Sequence, residues 1–226
     1  MQDVLIISFY VVLGFAFVII FIWMTGRMAT LKRRNRIVQF FGARFRSITS
    51  KISVKLLGNT GAKLAYHQES DSPFPKLEAT IMLLDRSNAF AMIYWKIRHR
   101  TDQVQIRANL KELPEPRIEL ITHKEQKRLD EDLAEHPGSA QELMVDYLVD
   151  QFYVVSYTPE TGDALFQQEK VRSAFEEVAP YLTRLSIARR EPHLFFSVIL
   201  VPEALKPMEK FALTLGRVLS QKKKGK

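Results

Sequence analysis

Asp102-Gln-Val-Gln-Ile-Arg-Ala-Asn-Leu110 alternates polar and apolar residues along its length, with Val104, Ile106, Ala108 and Leu110 at every second position. A period of two puts these four side chains on one face of an extended chain, whereas a helix would scatter them around its axis. The other face carries Gln103, Gln105, Arg107 and Asn109. The segment therefore predicts a half-exposed β-strand, the kind found in antiparallel sheets covered by helices on one side only.

The chain on either side extends this reading. Downstream, Pro114-Glu-Pro116 breaks the chain and Arg117–Ile121 reads as a second short strand, pairing with the first as a hairpin. Thr122–Glu135 is polar and helical in pattern, Pro137-Gly138 stops it, and Ser139 with Glu142 forms a capping box that opens another helix. Phe152–Tyr157 reads as a strand closed by a turn at Pro159-Glu-Thr-Gly162, and Ala164–Arg184 as largely helical. The continuous apolar run His193-Leu-Phe-Phe-Ser-Val-Ile-Leu-Val201 suits a central strand. Glu203–Ser220 spaces Leu205, Met208, Phe211, Leu215 and Val218 as one helix face. Upstream, Glu78–Leu84 reads as a buried strand, Ser87 as the N-cap of a helix over Ala89–Arg98, and Gly58-Asn-Thr-Gly61 as a turn. The expected fold class is α+β, with a mostly antiparallel sheet and packed helices.

The N-terminus differs in kind. Val4-Leu-Ile-Ile-Ser-Phe-Tyr-Val-Val-Leu-Gly-Phe-Ala-Phe-Val-Ile-Ile-Phe-Ile-Trp-Met24 carries no charge over 21 residues. A helix of that length matches a hydrocarbon core about 30 Å thick. Basic residues follow at Arg27, Lys32, Arg33, Arg34, Arg36, Arg44, Arg46, Lys51 and Lys55, and no acid occurs between Asp3 and Glu69. Positive flanks stay on the cytoplasmic side, so the sequence predicts a single transmembrane helix with its N-terminus outside and a cytosolic domain behind it. The membrane would be that of the endoplasmic reticulum in a eukaryote or the plasma membrane in a prokaryote. A cleaved signal peptide needs a basic start, a shorter apolar core and a small-residue cleavage site, which Met1-Gln2-Asp3 and Trp23-Met24 do not provide.

From Leu31 onward Ile37, Phe41, Phe45, Ile48 and Ile52 recur at helical spacing among basic residues. Such a basic amphipathic helix either lies on lipid or joins its stripe to the domain core. The chain thus divides into an anchor (1–26), a basic juxtamembrane helix (27–52), an α+β domain (53–220) and a basic tail (221–226), disordered by composition. Of 33 basic and 25 acidic residues, ten basic and no acidic ones lie in 4–68, so the domain is close to neutral and its excess charge sits beside the anchor. A polyanion, either RNA or anionic lipid, would meet Arg33, Arg34, Arg36, Arg44 and Lys51 first.

Catalytic constellations are not legible. The chain has no cysteine, which removes thiolate chemistry and disulfides. It has no Gly-rich phosphate loop, nucleophile elbow or His-Glu-x-x-His. His67, His99, His123, His136 and His193 are scattered, and the acidic run at 130–135 lacks the spacing of a calcium loop. No cofactor is expected, and a membrane-tethered enzyme is the weakest of the readings.

The order of elements, with Arg34-Asn-Arg-Ile-Val-Gln-Phe-Phe41 after the span, then Asp102-Gln-Val-Gln-Ile106 and Leu194-Phe-Phe-Ser-Val-Ile-Leu-Val-Pro202 before a last helix, resembles the calumin family. Calumin is the coiled-coil-domain subunit of the PAT complex, an accessory of multipass membrane-protein insertion. The resemblance spans residues 8–226. It implies a scaffold beside a Sec-type translocon or insertase, with a small multispanning partner and contact to ribosomal RNA. The family's acidic luminal region and basic coiled coil have no counterpart within these 226 residues. Calcium binding is therefore not carried over, and neither is ribosome contact through that coil. The alternative expectation is a structural or lipid-surface-binding subunit of a membrane complex with no ribosome role.

Overall fold

The computed structural model describes residues 2–44, 51–67, 72–123, 141–143, 145, 148 and 151–220. One face of a sheet organises them. Nine strands are present: β1 (Ile52–Leu57), β2 (Gly61–His67), β3 (Lys76–Met82), β4 (Gln103–Asn109), β5 (Ile118–Thr122), β6 (Gln141–Glu142), β7 (Phe152–Ser156), β8 (Leu182–Ile187) and β9 (Leu194–Ile199). They run in the spatial order β1-β2-β3-β4-β9-β8-β5-β7-β6, and every pairing is antiparallel. The fold class is α+β, as expected.

The register explains the core. Leu64, Ala79, Ile106, Phe196, Leu185, Leu120 and Val154 lie side by side across seven strands, and all are buried. A parallel row holds Ala62, Ile81, Val104, Val198 and Leu182. The period-two pattern of each strand thus adds up to one continuous apolar surface. The opposite face is polar and half-exposed. There Lys63 pairs with Glu78 at 2.8 Å, Arg184 with Glu119 at 3.3 Å, and the Arg107 guanidinium lies 5.7 Å from the Phe195 ring.

Among the described residues five α-helices accompany the sheet: α1 (Gln2–Arg44), α2 (Ala89–Ile97), α3 (Pro159–Phe166), α4 (Glu169–Val178) and α5 (Leu205–Leu219). All but α2 bury side chains in the same core as the apolar sheet face. Helix α5 buries Leu205, Met208, Phe211 and Leu215 on one stripe, while Val218 is half-buried. Phe152, Phe166, Phe175, Phe211 and Phe196 form a chain of edge-to-face rings with centroids 5.6–5.8 Å apart, joining β7, α3, α4, α5 and β9. Helix α5 comes close to Phe74 because Gly216 has no Cβ; one built there would lie 2.2 Å from the Phe74 Cζ.

Several expectations are corrected. The long helix is unbroken through Arg44, so anchor and basic segment are one element, and Ile52 opens a strand instead of closing a helix. Strands β4 and β5 do not form a hairpin, because β9 and β8 lie between them. Pro159 begins α3, where its missing N–H is harmless, and Leu182–Arg184 belongs to β8. Gln141–Glu142 is a short strand on β7, so Glu142 does not cap a helix. Asn88, not Ser87, caps α2 by accepting the Ala91 amide at 3.0 Å; the Ser87 hydroxyl donates to Asp85 instead. The polar helix read over Thr122–Glu135 and the tail 221–226 lie largely or wholly outside the described residues.

Candidate functional site

Helix α1 is long and apolar enough to cross a membrane, with mean hydropathy 2.7 and no burial over its most apolar window. Its second half does something different. Thr30, Arg34, Ile37 and Phe41 recur at steps of four, three and four, and all are buried against the domain. The same helix therefore leaves its apolar half uncovered and inserts the face of its basic half into the sheet's helix layer.

The two halves meet the sheet at a polar joint centred on Asp102, the residue just before β4. Asp102 is 4% exposed. Its Oδ1 accepts the Leu84 amide at 2.7 Å, and its Oδ2 accepts from Arg86 Nη2 at 2.7 Å and from Arg33 Nε at 2.9 Å. Arg33 Nη2 also donates to the Leu200 carbonyl at 3.0 Å, and the Leu200 amide donates to the Asp102 carbonyl at 2.8 Å. Asp102 thus ties α1 to the β3–α2 connection through its carboxylate, and both to the chain just after β9 through its backbone carbonyl and Arg33. Charge-assisted bonds of this length are the strong class, and burial protects the carboxylate from screening.

Above this carboxylate the backbones nearly touch. The Arg86 amide donates to Thr30 Oγ1 at 3.3 Å, and Thr30 Oγ1 donates to the Gly26 carbonyl at 2.9 Å. A Cβ on Gly26 would fall 1.9 Å from the Arg86 carbonyl oxygen. Only glycine lets the loop sit this close, so Gly26 marks a level at which the domain packs directly onto the α1 backbone.

The five basic positions expected to face a polyanion are separated by this arrangement. Arg33 is held by Asp102, although its side chain stays partly exposed. Arg34 is 7% exposed and donates through Nη1 to the Gly58 carbonyl at 2.8 Å and through Nε and Nη2 to Asn35 Oδ1. It pins the β1–β2 turn to α1 and is not open to an outside polyanion, which corrects its expected role. Arg36 and Lys51 are exposed, and the Arg44 side chain lies outside the described residues. The charge pattern registers sign but not partner, and the partner of Arg33 lies far along the chain.

No protein-family model matches this chain, and no curated protein does.

The same end of the sheet carries a groove of about 1030 Å³. It runs beneath the α2–β4 turn to the start of β8, with Met82, Phe152, Leu182 and Ile199 as apolar lining. Its ionisable lining residues are Arg98, His99, Arg100 and His123. Residues 124–140, which continue from His123, lie outside the described residues. His99 has φ of 50°, a left-handed conformation that turns the chain back from α2 toward β4. Among the described residues no three His, Asp or Glu side chains are grouped to hold a metal. His193 has a structural part, since its Nδ1 accepts the Leu110 amide at 3.0 Å.

Sequence reading missed Asp102, Arg86, Thr30 and Gly26. One signal was available: Asp102 is the only acid between Arg86 and Lys111, and it stands next to a strand start.

Proposed function

We propose that this protein is a non-enzymatic, membrane-anchored accessory of membrane-protein insertion, working beside a Sec-type translocon or insertase. In this reading α1 crosses the bilayer with its N-terminus outside, and the sheet domain sits in the cytosol. The observation that carries it is the unbroken path of α1 from an uncharged run into the domain core, latched by Asp102. A flexible tether would leave the domain free to wander, whereas a continuous helix with a buried ion-pair joint holds it at one height and tilt. A scaffold needs that constancy, because its surfaces must meet partners in the same membrane. The run of basic residues after the span and the resemblance carried by Asp102–Ile106 support the same reading.

Burial of Arg34 and pairing of Arg33 favour a second reading, a structural or lipid-facing subunit with no ribosome role. Salt dependence separates the two. If Arg36, Arg44 and Lys51 each neutralise an RNA phosphate, the logarithm of ribosome affinity falls with the logarithm of salt at a slope of about −2 to −3. Full-length protein isolated in mild detergent is expected to bring down translocon or insertase subunits, and to sediment with ribosomes with that slope. Co-purification of membrane partners without ribosomes supports the second reading. Recovery of neither rejects both.

A further inference from the structure

Helix α2 is nine residues long, Ala89-Phe-Ala-Met-Ile-Tyr-Trp-Lys-Ile97, and none of its residues is buried. Phe90 is 83% exposed, Ile97 69%, Ile93 59%, Tyr94 50% and Met92 44%. An apolar helix of this kind belongs in a core, yet every large apolar side chain but Trp95 faces outward. Contiguous apolar surface of this sort marks a contact that the isolated chain does not show.

We propose that α2 is an interfacial helix, lying in the headgroup–acyl boundary of the same bilayer that α1 crosses and giving the domain a second point of attachment. This rests on α1 spanning the membrane, and goes beyond the insertion role. Three observations select lipid as the occupant.

The first is position. The loop entering α2 presses the Arg86 carbonyl against Gly26, immediately beyond the uncharged run that ends at Met24. Helix α2 thus starts at the level where the apolar half of α1 gives way to its basic half. The second is chemistry. No acid lies between Arg86 and Thr101, while Lys96 stands in the last turn of the helix and Arg98 and Arg100 just beyond it. The Arg98 guanidinium stacks 5.7 Å from the Tyr94 ring. Aromatic side chains beside Lys and Arg are the composition of helices that rest on anionic lipid. The third is continuity. The β1–β2 turn and the end of β3 lie at the same end of the sheet, and Leu56, Leu57 and Met82 are exposed there. A helix of this length is about 13 Å long, too short to cross a hydrocarbon core of about 30 Å, so it lies in the boundary and does not span.

The chain contains no cysteine, so single substitutions give clean labelling sites. Phe90→Cys, Ile93→Cys and Ile97→Cys would each carry a nitroxide in the full-length protein. The host is phosphatidylcholine vesicles doped with phosphatidylglycerol. Phe15→Cys reports the α1 span, and Leu113→Cys reports an exposed position at the opposite end of the sheet. Collision rates are measured with oxygen, which concentrates in lipid, and with a water-soluble nickel chelate. The α2 sites are expected to match Phe15→Cys, with oxygen exceeding nickel several-fold relative to Leu113→Cys. A lipid-exposed Phe15→Cys with water-exposed α2 sites overturns the proposal and leaves the span intact. Shielding of the α2 sites from both reagents assigns the face to a second copy and also overturns it. Water exposure at Phe15→Cys removes the span and the proposal with it.

Discussion

Asp102→Ala is expected to lower the unfolding free energy of the domain by about 2–4 kcal/mol, below the roughly 3–5 kcal/mol of a fully buried pair because Arg33 keeps access to water. The loss has two parts. The Leu84 amide forfeits its acceptor at 2.7 Å, and the Arg33 and Arg86 guanidiniums lose the anion between them. Asp102→Asn separates these parts, since an amide oxygen can still accept from Leu84 but carries no charge. It is expected to cost about half as much. Urea unfolding in detergent gives the energies, and hydrogen exchange at the Leu84 amide reports the joint locally. If Asp102→Ala leaves both unchanged, Asp102 does not hold α1 to the sheet.

Phe211→Ala is expected to cost about 3–5 kcal/mol, a large part of the roughly 5–15 kcal/mol that holds a domain together. Phe211 is fully buried, and its ring stands edge-on to Phe175 at 5.8 Å and to Phe196 at 5.6 Å. Its removal opens a cavity between α5, α4 and β9, which backbones already in register cannot collapse to fill. Phe211→Leu keeps much of the volume and loses the ring geometry, so a cost of less than about 2 kcal/mol is expected. Denaturant titration of the full chain measures both. A loss under about 1 kcal/mol for Phe211→Ala would mean that the aromatic chain does not bind the helix layer to the sheet.

The sheet was legible where each strand buries one face. Val104, Ile106 and Ala108 announce β4 because the core lies on one side only, and the apolar run at Leu194–Ile199 announces a strand that proves to be the fifth of nine. Strand β1 gave no such signal: none of its residues is buried, so nothing imposes alternation on Ile52–Leu57. Strand β8 was hidden because Leu182, Leu185 and Ile187 continue from a true helix at spacings that fit either structure. Pairing order was not legible at all, since β4 and β5 are neighbours in sequence and are kept apart by strands from much later in the chain.

The basic segment shows why charge alone misleads. Its run of Lys and Arg marks the end of the apolar stretch, which is all that sign can convey. The helix then spends Arg33 on Asp102 and Arg34 on the Gly58 carbonyl, partners fixed only by tertiary structure. Helix α2 misleads in the opposite direction. Its pattern marks a helix whose apolar residues suit a core or a lipid-facing surface alike, and only the fold shows that they face outward.

The central claim, that this anchor attends membrane-protein insertion, is tested most directly by photo-crosslinking from α1. Photoreactive residues at Val11 and Phe17, both uncovered on the apolar half of the helix, are placed in native membranes carrying translating ribosomes stalled on multispanning proteins. The account predicts adducts between these positions and nascent transmembrane segments, lost when puromycin releases the chain. Absence of nascent-chain adducts at both positions, with α1 inserted and the domain folded, would contradict it.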